Sequence, residues 1–193
     1  MEQLFLLFDR IEQLSPGLKA YLQGILERKV VKKKEIILRE GQIAGYIYFI
    51  EKGCVRSVRY KKGKERTAWI MKEGDVFVSV RSFFSQRRAS ETIEALEDCV
   101  LHCITFEELQ KAYKEYPEFN LHGRIILQHY YELSEDRNEM RELPAIGRFE
   151  FLMTHQPELN GRVPQKLLAS YLGMAPETFS QQKSKFTRKN RKR

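Results

Sequence analysis

No stretch approaches the roughly 18 consecutive apolar residues that a membrane-crossing helix requires. The opening MEQLFLLFDRIEQLSP carries Glu2, Asp9, Arg10 and Glu12 where a secretory leader would hold an unbroken apolar core. Cysteine is scarce: Cys54, Cys99 and Cys103 are too few for a disulfide framework, and their odd number argues for a reducing compartment, so a cytoplasmic location is expected. They also fall short of the four ligands of an iron-sulfur cluster, which leaves them as buried thiols. His102, His122, His129 and His155 lack metal-ligand spacing, so no metal site is expected. There is no phosphate loop, no nucleophile elbow and no paired carboxylate in a glycine-rich setting, so the chain does not read as an enzyme. With 11 Gly, 6 Pro and 42% hydrophobic residues in 193, wholesale disorder and fibrous repeats are excluded as well.

Charge of one sign is abundant, and it is unevenly placed. The chain carries 34 Lys and Arg against 26 Asp and Glu, a net +8. Residues 161–193 alone hold nine basic side chains and only Glu177 on the acidic side, a local +8, while the other 160 residues balance at 25 of each sign. Such segregation points to a polyanion as partner and away from a diffuse basic coat.

The hydrophobic period divides the chain into three kinds of segment. Leu4, Leu7, Phe8, Ile11 and Leu14 recur at helical spacing, and Ser15-Pro16 reads as an N-cap followed by proline at the first helical position, opening a second helix to about Glu27. From Lys29 to Thr105 short β-branched and aromatic runs alternate with Gly41, Gly45, Gly53, Gly63 and Gly74, which predicts about eight strands in a sandwich or barrel, the last two turning near Glu97-Asp98. Helix returns with FEELQKAYKEYP. After Pro117, positions 119, 123, 126, 130, 133, 137 and 140 follow a four-three alternation, Phe, Gly, Ile, Tyr, Leu, Arg and Met, that reads either as a dimer seam or as the face of a helix packed on its own barrel. AIGRFEFLMTHQPEL predicts one more helix up to Pro157.

The last segment, NGRVPQKLLASYLGMAPETFSQQKSKFTRKNRKR, carries the sharpest motif. A helix-turn-helix needs a small residue at the helix crossing, a glycine four residues on and an apolar residue about six after that; Ala169, Gly173 and Phe179 supply them, with Leu168, Leu172 and Met174 as apolar filling. The predicted helices are Gln165 to Leu172 and one opening at Pro176. Glu177, Thr178, Ser180 and Gln181 lie on the first turns of the second helix, where side chains reach base edges; Lys183, Lys185 and the run from Arg188 to Arg193 suit phosphates. The run from Arg188 is expected as a disordered tail that adds affinity without specificity.

Two leading helices, a glycine-punctuated roll, a long helix and a terminal helix-turn-helix together resemble the bacterial cyclic-AMP receptor and Fnr family of regulators, the Crp/Fnr family. The resemblance covers nearly all of the chain, most specifically EIILREGQIAGYIYFIEKGCVRS, KEGDVF and RVPQKLLASYLGMAPETFS. It implies an α+β architecture: a cyclic-nucleotide-binding-like β-roll at residues 1–112, a dimerisation helix and hinge at 113–145, and a helix-turn-helix domain at 146–193. It also implies a homodimer through the helix around 119–140, double-stranded DNA read as an inverted repeat, and RNA polymerase as a further partner. Glu177 falls on the family's cytosine-reading acid, whereas its guanine-reading arginines fall on Pro176 and Gln181, so a different operator is expected, with adenine favoured at Gln181. In the effector cassette the family's Gly-Glu pair falls on Ser79-Val80 and its Arg-Ser pair on Ala89-Ser90. Cyclic AMP is therefore not the expected effector, and no cofactor is identified. The ligand-facing candidates are Phe77, Ser79, Arg81, Ser82, Ser90 and, from the long helix, Tyr130, with Arg87 and Arg88 as alternative cations. The same charge map admits one other reading, a small-molecule sensor acting through a protein partner, its basic tail an anchor to acidic surfaces.

Overall fold

The computed structural model describes residues 1–61 and 63–190; Arg191, Lys192 and Arg193, the end of the expected phosphate-binding run, lie outside the described residues. The chain opens with α1 (Glu2–Ile11) and α2 (Pro16–Ile25). Ser15 caps α2 as its sequence promises, its side chain accepting from the Leu18 amide at 3.3 Å ahead of Pro16.

Eight strands follow: β1 (Glu27–Val31), β2 (Ile36–Leu38), β3 (Tyr46–Lys52), β4 (Val55–Lys61), β5 (Lys64–Met71), β6 (Val76–Phe77), β7 (Thr92–Ala95) and β8 (Cys99–Thr105), with the short helix α3 (Val80–Ser85) between β6 and β7. They form two antiparallel sheets, in the orders β1-β8-β3-β6 and β2-β7-β4-β5. Phe49, Ile50, Val55, Ile93, Ala95 and Leu101 of the strands and Phe83 of α3 are buried in one apolar core. Burial of such side chains supplies the main driving force for the roll. Gly53 shows why a glycine punctuates the β3–β4 turn: its φ is +104°, and a Cβ there would stand 2.5 Å from the Cys99 sulfur and 2.8 Å from the Asp98 carbonyl.

Beyond the roll come α4 (Phe106–Glu115), α5 (Phe119–Glu142), α6 (Ala145–His155), the four-residue α7 (Leu159–Arg162), α8 (Gln165–Tyr171) and α9 (Pro176–Asn190). A complete capping box starts α4, with Thr105 and Glu108 each satisfying the other's backbone amide. The four-three stripe of α5 turns onto its own chain. Phe119 packs edge-on to Phe8 at 5.5 Å, the Tyr130 hydroxyl accepts from the Val76 amide at 2.7 Å, Arg137 stacks on Trp69 and Tyr171, and Met140 joins the core of the terminal helices. Within the single chain these positions of the stripe pack on the roll and the terminal helices. The exposed apolar residues of α5 lie one step round, at Leu127 and Tyr131.

One correction concerns the tail. Arg188 and Lys189 continue α9, which runs through Asn190, so this part of the expected disordered run is helical.

Substituting Gly53→Ala should cost about 2–4 kcal/mol, from the positive φ together with the clash on backbone atoms. Urea unfolding of both proteins measures it; a loss below about 1 kcal/mol would show that the turn adapts freely.

Candidate nucleic-acid interface

Helices α8 and α9 meet as the motif requires. Gly173 sits at φ +65° in the turn, the Met174 amide donates to the Ala169 carbonyl at 2.9 Å, and Leu168, Ala169, Leu172 and Phe179 are fully buried. Phe179 packs against Phe149 of α6 at 5.2 Å, giving the pair of helices a third helix to rest on. This miniature core leaves Glu177, Ser180 and Gln181 exposed along the first turns of α9, with Thr178 half-buried beside them. These are the positions from which a recognition helix reaches base edges.

The basic residues divide differently from their sequence order. Lys185 and Arg188 are exposed, with no ion-pair partner among the described residues. Lys183 donates to the Asn160 side chain at 3.0 Å, and Lys189 pairs with Glu150 at 2.8 Å. Arg162, counted with the polyanion-binding charge, is committed elsewhere. Its guanidinium spans Glu73 and Glu97 of the roll through four hydrogen bonds of 2.7–2.8 Å. Sequence separations of 65 and 89 residues hide this clamp from any local pattern.

Three more contacts fasten the terminal helices to the roll. The Thr67 amide donates to the Ser170 hydroxyl at 2.9 Å, Lys72 pairs with Glu158 at 2.9 Å, and Cys54 and Ile70 share an apolar cluster with Leu168, Tyr171 and Met140. Between these units lies Arg137, only 4% exposed, its guanidinium 4.9 Å from the Trp69 ring centre and 4.4 Å from that of Tyr171. Both of its terminal nitrogens lack a hydrogen-bond partner, and burial pushes its pKa down to about 10.

The effector candidates do not converge. Ser79 lines a cavity of about 470 Å³ walled by Val31, Ile36, Leu38, Ile93, Tyr46 and Lys29, on the β1–β2 side of the roll. Phe77 is spent on stacking with Tyr48 at 4.8 Å; the Ser82 hydroxyl accepts from the Ala44 amide and donates to the Arg87 carbonyl; and the Tyr130 hydroxyl is held by Val76. Arg81, Arg87 and Ser90 are exposed, and Arg88 bonds the Gly41 carbonyl at 3.2 Å.

Residues 28–116 match the family model of the Cyclic nucleotide-binding domain. The whole chain shares its fold with Crp/Fnr regulators of known structure. One is FixK2 from Bradyrhizobium japonicum, at TM-score 0.72 and 21% identity, covering 86% of each chain. Another is a CooA mutant from Carboxydothermus hydrogenoformans, at 0.68 and 20%, covering 92% of this chain and 81% of that one. A third, described as a transcriptional regulator of the crp/fnr family from Eubacterium rectale, gives 0.68 and 19%, covering 91% and 85%. No curated protein sequence matches.

The residues of the roll do not fit a cyclic nucleotide. Where the family's phosphate-binding arginine would stand there is Ala89, buried and uncharged. Two residues on, the buried Glu91 carboxylate bonds Ser57 at 2.8 Å and the exposed Arg59 at 3.1 Å, and a buried carboxylate so close to this position would repel a phosphate.

The interdomain clamp sets a pH dependence. Burial raises the pKa of Glu73, but its bonds from Arg162 and the Gly53 amide prevail and hold it at about 2, below the ordinary 4.5. A depressed carboxylate contributes stability above its unfolded pKa and loses it as pH falls toward the folded value. The wild type should therefore lose stability between pH 4.5 and 2, and Arg162→Met should be less stable at neutral pH with a flatter acid limb. Denaturant titrations at stepped pH test this, and parallel acid limbs would remove Arg162 as the cause.

Proposed function

We propose that the chain is a DNA-binding transcription regulator of the Crp/Fnr type, binding an inverted-repeat operator as a homodimer, with a sensing domain whose effector is not a cyclic nucleotide. The observation that carries this reading is the recognition helix. Glu177, Ser180 and Gln181 are exposed on a helix-turn-helix whose 33-residue segment holds the entire net charge. Base-reading side chains and phosphate-binding cations on one short unit are what a sequence-specific DNA reader combines.

Helix α5 supplies the dimer contact in this reading. Leu127 and Tyr131 are 48% and 69% exposed, and Leu127 lines a small apolar cavity together with Phe84 of α3, also exposed. A two-fold axis along this face would set the recognition helices in successive major grooves, about one helical turn of DNA apart. An effector acts by favouring one spacing of those helices over another.

Selection from a random duplex library, with and without metabolite extract, should enrich an inverted repeat with half-sites about 10 base pairs apart. Gln181→Ala should then relax the choice at one position of each half-site, costing about 1–3 kcal/mol against the selected sequence and little against random DNA. Equal affinity for selected and random duplexes at every salt concentration would overturn the proposal and favour a sensor that works through a protein partner.

A further inference from the structure

The 160 residues before the terminal segment balance in charge, yet their basic side chains are not spread evenly. The sequence of residues 59–66, RYKKGKER, holds five cations and one carboxylate, and its described residues belong to the β4–β5 hairpin. The register places Arg59 directly opposite Arg66 and Lys61 directly opposite Lys64. Like charges facing each other across an antiparallel pair destabilise it, so the Arg59–Arg66 pair works against the hairpin that carries it. Internal carboxylates relieve only part of this. Glu91 meets Arg59, and the lone Glu65 of the hairpin is drawn to the buried Arg56 at 2.7 Å. Lys64 and Arg66 are exposed, and no acidic side chain among the described residues reaches them.

The hairpin's position says what anion it can meet. Strand β5 is the part of the roll against which α8 packs, joined to it by the bond from Thr67 to Ser170, and the Arg162 clamp keeps the two units together. The reading positions of α9 stay uncovered in this arrangement, so the roll and the helix-turn-helix can approach DNA as one body. In that motif the first helix, here α8, crosses the phosphate backbone beside the groove that the second one enters. A basic hairpin fixed to α8 is carried to the same backbone.

We propose that the tip of the β4–β5 hairpin, through Lys64 and Arg66, is a second DNA-contacting surface, binding backbone phosphates beside the bases read by α9. This rests on the DNA-binding reading above. The contact is with phosphate, so it adds affinity and salt dependence and leaves the preferred sequence unchanged.

The test uses the full chain and a duplex recovered by the selection, with a scrambled duplex of equal length, titrated from 50 to 200 mM salt. Lys64→Gln with Arg66→Gln should bind both duplexes roughly tenfold more weakly and flatten the plot of log K against log salt by about 2, near 0.9 per lost phosphate contact. The ratio of selected to scrambled affinity should not change. Lys33→Gln, at an exposed position on the β1–β2 turn, is the control for removing a remote charge and should leave the slope as it is. If the wild type prefers its selected duplex but the double variant keeps the wild-type slope, the hairpin proposal fails alone. If the wild type binds no DNA, both proposals fail. A double variant with altered sequence preference would overturn the phosphate assignment.

Discussion

The arrangement of the two halves depends on one guanidinium. Arg162 sits in the short α7, between the helix-turn-helix and α6, and grips two carboxylates on different loops of the roll. Bidentate, charge-assisted bonds of this kind fix orientation as well as distance, because the planar donor fork accepts only one alignment with each carboxylate. The grip is only partly shielded from water, so its contribution is directional more than energetic. Around it the buried faces of Cys54 and Ile70 join the terminal helical core, and the non-directional term follows from the geometry that Arg162 imposes.

Helix α5 serves both halves with different chemistry at each end. Its first turns are aromatic and apolar: Phe119 and His122 interlock with Phe8, and the His122 Nε2 sits 2.9 Å from the Glu12 carbonyl. Its last turns carry Met140 into the terminal core. Between them lies Arg137, a buried cation set against the rings of Trp69 and Tyr171. Removing a charge of this kind in favour of an apolar side chain is often neutral or stabilising, so a residue retained there has a cost in stability that packing does not explain.

The legible parts were those written locally. The Ser15-Pro16 cap, the glycine-punctuated strands and the Ala169, Gly173 and Phe179 triplet each announce their conformation within a dozen residues, and each forms as read. Contacts between distant segments were not legible. Arg162 looked like one more cation of a DNA-binding segment because nothing near it in sequence reveals Glu73 or Glu97. The stripe from Phe119 to Met140 reads as a dimer seam or as a self-packed face, since periodicity names a buried side without naming the partner. Summing charge over 160 residues concealed the β4–β5 tip, whose five cations are cancelled by acids elsewhere in the roll. The effector candidates scattered for the same reason: cassette positions taken from a relative say where a strand runs, and here Phe77, Ser82 and Tyr130 are occupied in holding the roll together.

The bond from the Val76 amide to the Tyr130 hydroxyl joins the strand that leads into α3 to the middle of α5. From Tyr130 to Met140 the helix runs ten residues, about 15 Å. That length acts as a lever arm with its fulcrum at the cassette. A tilt of about 5° at Val76 becomes a displacement of roughly 1 Å at Met140, delivered into the core beneath the recognition helix. In the regulator proposed above, an effector bound at the roll would have no need to reach the terminal helices, because a shift of one strand by a fraction of a hydrogen bond's length would already be felt at Met140.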